Sequence, residues 1–146
     1  MPTAARLAAA FLLAALAWIL SDLIRPLMPE GTPMGRFNYV NVVIAICVGW
    51  VVVGSRAGRG FVPAINNGVT GVVVLILWGL GVHACYEMFR LAMRNRYDGP
   101  MEAITAIFLI GSEFGVMIMT YSVMVPALIG AIVVGLGTDF VAKRWR

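Results

Sequence analysis

The sequence predicts an all-α, polytopic membrane protein with four transmembrane helices and one amphipathic interfacial helix before the last span. Composition is the first reason. Of the 146 residues, 61% are hydrophobic and only 12% are charged, which is too little charge to cover a soluble domain. The second reason is that long uncharged runs alternate with short segments rich in proline, glycine and arginine. We therefore expect residues 1–146 to form a single membrane domain.

The first two spans are predicted over residues 7–25 and 37–54. Ala15-Leu16-Ala17 has the small-x-small form of a signal-peptide cleavage site. The apolar run continues beyond that site, so we interpret it as a retained first span. Residues 26–36 hold three of the seven prolines and are predicted to form a turn outside the hydrocarbon.

The third span is predicted over residues 64–90, which include an uncharged stretch at 68–85. A helix of about 20 residues is long enough to cross a hydrocarbon core of roughly 30 Å. The basic segment 55–60, SRAGRG, precedes this span as a tight loop. Asp98-Gly99-Pro100 follows it as a turn signal, after which a new helix can start at once.

Residues 101–119 are predicted to form an amphipathic helix in the plane of the interface. Its polar residues share about a third of the helix circumference; they are Glu102, Thr105, Ser112, Glu113 and Thr120. As a span, this helix would place Glu113 in hydrocarbon at a cost of roughly 2.5–3.5 kcal/mol. A helix lying in the interface avoids that cost.

The last span is predicted over residues 123–141, with a capping hydroxyl supplied by Thr120-Tyr121-Ser122. Ala127, Ala131 and Gly135 form a stripe of small residues on it, suited to close helix packing. Gly111-x-x-x-Gly115 on the preceding helix has the same small-residue spacing.

The arginines and lysines indicate the orientation of the four spans. One side holds Arg6, Arg56, Arg59, Lys143, Arg144 and Arg146. The other side holds Arg25, Arg36, Arg90, Arg94 and Arg96. This split favours both termini in the cytoplasm of a bacterial inner membrane. A five-span alternative, with the amino terminus outside, separates the cations more unevenly, eight against three.

Several polar residues in or near the spans are candidates for function, because ionisable groups inside a membrane are often functional. His83, Glu87 and Arg90 lie on one stripe of the third helix, which would suit a proton or metal function. The structural interpretation is that Glu87 pairs with Arg90 and that His83 hydrogen-bonds a neighbouring helix. His83 and Cys85 point about 200° apart in a regular helix, so they do not form a ligand pair.

The remaining candidates are Asn66 and Asn67 at the start of the third helix, Asp22 and Arg25 as an interfacial pair, and Glu113. The two asparagines are expected to cap backbone groups or to bond between helices. Cys47 and Cys85 lie in apolar runs and are expected to be free, buried thiols.

Motifs for catalysis are missing from the sequence, which has no phosphate-binding glycine loop, zincin motif, serine elbow or Cys-x-x-Cys. We therefore expect a non-enzymatic protein with no cofactor and no metal site. No basic stripe interleaved with aromatic residues indicates nucleic-acid binding. The expected partners are membrane lipids, together with a larger membrane complex or further copies of the chain.

Five blocks of sequence resemble the TrgA family, small inner-membrane proteins of alphaproteobacteria. They are MPTAAR at the start, PLMPEG at 26–31, GWVVVGSRAGRG at 49–60, Asn67-Gly68, and RYDGPMEA at 96–103. They occur in the expected order along essentially the whole chain. The resemblance implies an association with tellurite (oxyanion) resistance, but it assigns no catalytic or binding residue.

Three functions are compatible with these observations. The first is a non-enzymatic inner-membrane protein linked to tellurite resistance. The second is an accessory or assembly subunit of a larger respiratory or photosynthetic complex, which would alter tellurite sensitivity indirectly through electron flow. The third is a small transporter that uses the His83–Glu87 stripe.

Overall fold

The computed structural model describes residues 3–27 and 35–145, and over these residues the protein is all helical. The helices are α1 (Thr3–Ile24), α2 (Phe37–Val48), α3 (Phe61–Ala92), α4 (Pro100–Ile118) and α5 (Tyr121–Arg144). All five are long and apolar enough to cross a membrane, α2 when counted with its extension to Arg56. The predicted all-α, polytopic class is confirmed.

The predicted helices all exist, and each extends a few residues beyond its expected bounds or matches them closely. Pro100 occupies the first position of α4, and the carboxylate of Glu102 accepts a hydrogen bond from the Asp98 backbone N–H at 3.0 Å. These contacts explain why α4 begins directly after the turn. Of the turn predicted over 26–36, residues 28–34 lie outside the described part of the chain.

One capping prediction is wrong. Thr120 stands at the N-cap of α5 with an extended backbone, but its side chain makes no cap hydrogen bond. Its hydroxyl instead lies 3.2 Å from the hydroxyl of Ser122. The predicted position of the helix start is therefore correct, but the predicted hydrogen bond is not formed.

Helices α1 and α2 pack antiparallel through glycines. A Cβ atom built on Gly49 would lie 2.6 Å from the Cα of Ala10, and one built on Gly54 would lie 2.5 Å from the Cα of Arg6. Only glycine allows the two backbones to come this close.

The extension of α2 contains a wide π-turn over Gly49–Val53, closed by a hydrogen bond from the Gly54 N–H to the Gly49 carbonyl. In a regular α-helix, residues five apart point about 140° apart. The wide turn brings Gly49 and Gly54 closer to one face, so that both meet α1.

Helices α3 and α5 cross at a second glycine contact. A Cβ atom on Gly68 would overlap the Ala131 carbonyl oxygen, and one on Gly135 would overlap the Ala64 carbonyl oxygen. The predicted small-residue stripe on the last helix is thus confirmed as a packing face. Because Ala64 meets Gly135 and Gly68 meets Ala131, α5 runs antiparallel to α3.

Helix α4 also runs antiparallel to α3, along the C-terminal half of that helix. Gly111 faces Ala84 and Gly115 faces Leu80, with a built Cβ atom 3.7 and 3.8 Å from those side chains. Since α4 and α5 run in the same direction, the C-terminal part of α5 returns to the end of the bundle where α1 and α3 begin. Five complete alternating crossings would instead make α5 parallel to α3.

Helix α4 leaves much of its surface uncovered, and all of its polar residues are exposed or partly exposed. Glu102, Thr105, Ser112 and Glu113 are exposed, as predicted for the polar face of an amphipathic helix. The residues that α4 buries are Ala106, Phe114 and Ile118. The length and composition of α4 also fit a span, so its position in the interface stays a prediction.

Candidate polar site at the opposite end of the bundle

A chain of hydrogen bonds links α1, α2 and α3 near the end of α1 and the start of α2. Asn41 donates from Nδ2 to Ser21 Oγ at 2.8 Å, and Ser21 donates to the Ala17 carbonyl at 2.6 Å. His83 Nε2 lies 2.9 Å from Asn41 Oδ1. Because an amide oxygen only accepts, Nε2 of His83 must carry the proton in this contact. Ser21 and Asn41 are polar residues on the inner faces of otherwise apolar helices. Their positions in the sequence therefore direct both side chains into the bundle.

A second contact extends the site toward the end of α1. Asn38 donates from Nδ2 to the Asp22 carboxylate at 2.8 Å. Asn38 is only 3% exposed, and its Oδ1 atom has no hydrogen-bond partner among the described residues. A buried amide oxygen without a donor is costly, so this position favours an incoming donor group.

An apolar cavity of about 50 Å³ adjoins the hydrogen-bonded chain. Leu20, Leu75 and Phe114 are among the side chains that line it, with Asn41 and His83 at its polar edge. A cavity of this size and lining accommodates only a small apolar group.

The ring of Phe37 covers His83, with the two ring centroids 4.5 Å apart. The imidazole is therefore held on one side by an aromatic ring and at Nε2 by Asn41. This is the arrangement of a packed histidine that bonds between helices, as the structural interpretation of the sequence predicted.

Glu87 and Arg90 form an ion pair one turn beyond His83. Arg90 Nε donates to Glu87 Oε2 at 2.8 Å, and a second contact joins the same two side chains. The bidentate geometry holds both groups at the interfacial end of α3. The stripe of His83, Glu87 and Arg90 thus lies on one helix, but His83 bonds to Asn41 while Glu87 and Arg90 bond to each other.

The two asparagines at the start of α3 have different environments. Asn67 is buried and donates from Nδ2 to the Val53 carbonyl at 2.7 Å, which joins α3 to the π-turn of α2. This contact confirms the predicted bond between helices. Asn66 is exposed, and its backbone carbonyl accepts a hydrogen bond from Thr70.

The remaining candidates lie apart from the hydrogen-bonded chain. Arg25 is exposed at the end of α1, and Glu113 is exposed on α4. Cys47 and Cys85 are free, as predicted. The prediction that both are buried is wrong for Cys47, which is exposed on the outer face of α2, and Cys85 is only half-buried.

A separate cluster, which we call the basic end, lies where α1 and α3 begin and α5 ends. Its cations are Arg6, Arg56, Arg59, Lys143 and Arg144. Asp139 organises this end, because its carboxylate accepts a hydrogen bond from the Gly60 N–H at 3.3 Å and pairs with Lys143 at 2.8 Å. These contacts fasten the loop before α3 to the last turns of α5.

The chemistry available to the described residues is that of hydrogen bonding and charge. Residues 3–27 and 35–145 contain no group of three or more His, Cys, Asp or Glu side chains placed to hold a metal ion. The candidate site is therefore a polar contact among three helices beside a small apolar cavity.

Sequence reasoning missed three members of this site: Ser21, Asn38 and Asn41. A signal for them was present, because each is an uncharged polar residue within an apolar helix, and such residues commonly bond across helices. Asn38 and Asn41 are also spaced three apart, which places them on one face of α2.

Comparison of the chain with known protein families, with curated proteins and with solved structures finds no match in any of the three.

Proposed function

We propose that this chain crosses the bacterial inner membrane four times, with both termini in the cytoplasm. The antiparallel contacts of α3 with α5 support this topology, because they place the two chain ends at the same end of the bundle. Only an even number of crossings leaves both termini on the same side of the membrane. In this proposal α4 adds no crossing of its own, because it runs antiparallel to α3 and α5 continues in the same direction.

The length of α3 supports the same topology. Its 32 residues correspond to about 48 Å, whereas the hydrocarbon core measures roughly 30 Å. Part of the helix therefore extends beyond the core, and α4 packs along that part.

Reporter fusions at the two termini test the topology. A fluorescent protein that folds only in the cytoplasm and an alkaline phosphatase that is active only in the periplasm are fused in turn to each end. We expect fluorescence and no phosphatase activity from both termini. Opposite results at the two termini would contradict four crossings.

We further propose that the protein contributes to tellurite (oxyanion) resistance without an enzyme active site of its own. The resemblance of its sequence blocks to the TrgA family supports the phenotype. The observation that supports a non-catalytic role is the engagement of both central candidates, His83 by Asn41 and Glu87 by Arg90. A proton or metal carrier would need these groups to exchange partners.

Complementation tests this function. A strain lacking the gene receives the wild-type chain, His83→Phe or Glu87→Gln, and growth is measured over a tellurite series, with oxygen consumption recorded in parallel. We expect deletion to lower the tolerated tellurite concentration at unchanged oxygen consumption, and both variants to restore it. Failure of both variants, at normal protein level, would instead favour the transporter alternative.

The second candidate function is that of an accessory or assembly subunit of a larger respiratory or photosynthetic complex. The observation that favours it is the partly uncovered α4, where Phe108 is 74% and Met101 is 75% exposed beside the polar residues. A helix that packs on the bundle along one face and leaves its other face uncovered is suited to contact with another membrane protein.

Photo-crosslinking distinguishes this second function. A photoreactive residue at Phe108 should yield a discrete product with a large membrane complex in mild detergent, and one at Phe11 on α1, which is 73% exposed, should not. Equal labelling at both positions would indicate lipid exposure alone. A complex captured from Phe108, together with altered oxygen consumption on deletion, would replace the first function by the second.

A further inference from the structure

The basic end carries a concentration of charge that its own acids do not neutralise. Of the described residues, five cations lie there with one acid, Asp139, which is already paired with Lys143. Over residues 3–27 and 35–145, the other four cations form no ion pair; they are Arg6, Arg56, Arg59 and Arg144.

The fold places these four cations at the same end of the bundle. The stem of Arg6 packs on Gly54, where a built Cβ atom would lie 2.7 Å from its Cγ. The loop that carries Arg56 and Arg59 turns back through Gly58 and Gly60, whose φ values of 85° and 121° favour glycine.

On α5, the Arg144 guanidinium lies over the ring of Phe140, 5.7 Å from its centroid. Phe140 is itself 60% exposed. Aromatic and cationic side chains in this combination are typical of the headgroup level of a membrane. Three segments thus contribute arginines to an end of the bundle whose composition is that of a headgroup region.

We propose that the basic end binds the phosphate groups of anionic phospholipids. The proposal relies on the membrane crossing of the proposed function, but not on which side of the membrane this end faces. Arginine presents a planar fork of donors that matches phosphate oxygens, and each basic residue near an anionic surface strengthens binding.

The opposite end of the bundle provides the contrast. Of the described residues, five cations lie there as well, but four acids lie among them, and Arg90 is paired with Glu87. Those acids are Asp22, Glu87, Asp98 and Glu102. Among the described residues the two ends carry equal numbers of cations, so we expect the acids to set the difference in headgroup binding.

Matched double variants test the proposal. R56Q/R59Q removes two exposed arginines from the loop before α3, and R94Q/R96Q removes two exposed arginines from the loop after it. Both variants lower the net charge by the same amount and leave every helix contact intact. Circular dichroism and thermal unfolding in detergent confirm that both fold as the wild type does.

The measurement is lipid binding to the detergent-purified full-length chain by native mass spectrometry. Phosphatidylglycerol and phosphatidylcholine with identical acyl chains are titrated separately. We expect the wild type to prefer phosphatidylglycerol, R56Q/R59Q to lose roughly 30-fold in its affinity, and R94Q/R96Q to lose less than about threefold.

Three results would overturn the proposal. Equal losses in the two double variants would show that affinity follows total charge. Equal binding of both lipids by the wild type would show that the acyl chains are recognised. Complete competition by millimolar inorganic phosphate would assign the site to a free anion. Reporter fusions that place the termini in the periplasm would contradict the proposed topology while leaving this lipid result unchanged.

Discussion

The two halves of α3 are held in the bundle by different kinds of contact. The N-terminal half meets α5 backbone to backbone, at Gly68 and Ala64. The C-terminal half meets α4 through side chains, and it meets α2 through the hydrogen bond of His83. Both halves belong to one continuous helix, so the difference comes from their partners.

This difference separates a tightly fitted region from an adaptable one. Where backbones touch, no side chain can rearrange to relieve a change in volume. Where side chains and polar groups make the contact, substitutions are absorbed more easily. The candidate polar site lies in the adaptable half.

The largest effect is expected from Gly68→Ala. Its new methyl group would overlap the Ala131 carbonyl oxygen, and backbone cannot move aside without separating the helices. We expect a loss of about 3 kcal/mol in the free energy of unfolding, at the upper end of the range for overpacked cores. Unfolding by denaturing detergent, followed by circular dichroism, provides the measurement.

Gly111→Ala and Gly115→Ala are the matched controls on the other half. At these positions the new methyl group makes ordinary contacts, at 3.7 and 3.8 Å. Alanine also favours helix by about 1 kcal/mol over glycine. We expect unchanged or slightly increased stability, and a loss as large as that of Gly68→Ala would remove the distinction between the two halves.

A smaller effect is expected from Asn41→Leu in the adaptable half. This change removes the acceptor of His83 and the donor to Ser21. Hydrogen bonds between membrane helices contribute about 0.6 kcal/mol on average and up to about 1.7, so we expect a loss of about 1–2 kcal/mol in the free energy of unfolding.

Asn66→Leu is the control for Asn41→Leu, because Asn66 is exposed and its replacement should leave the free energy of unfolding nearly unchanged. A double-mutant cycle of Asn41→Leu with His83→Phe measures the coupling across α2 and α3. Strictly additive losses would show that the 2.9 Å contact contributes no stability.

The smallest effect is expected at the ion pair of Glu87 and Arg90. Their side chains are 17% and 29% exposed, and pairs within reach of water contribute about 0–1 kcal/mol. Glu87→Gln and Arg90→Gln, combined in a cycle, should show a coupling in this range that weakens with added salt. A coupling above that of the Asn41 cycle would make this pair the main anchor of the adaptable half.

The sequence was sufficient to predict the positions of the helices and one of the faces through which they pack. Apolar run length and turn chemistry determined the bounds of α3 and α4 within a few residues. The spacing of Ala131 and Gly135 correctly predicted close packing on the last helix, because small side chains at i and i+4 are the local requirement for backbone contact.

The helix pairing was beyond the reach of sequence reasoning. The four predicted spans already make α5 antiparallel to α3, but nothing local in α5 indicates the register in which Gly135 meets Ala64. The partner of His83 was equally hidden, since Asn41 lies 42 positions earlier in the chain. Long-range contacts depend on how several helices fit together, and periodicity within one helix carries no such information.

The wide turn at Gly49–Val53 determines the rotational setting of everything that follows in α2. Tightening this turn into regular α-helix with the same residues would leave the hydropathy unchanged, yet it would swing Gly54 about 100° away from α1. The loop that begins at Ser55 would turn with it, and its arginines would face a different neighbour. The wide turn in the middle of this apolar segment thus determines the direction in which the charged loop leaves the helix.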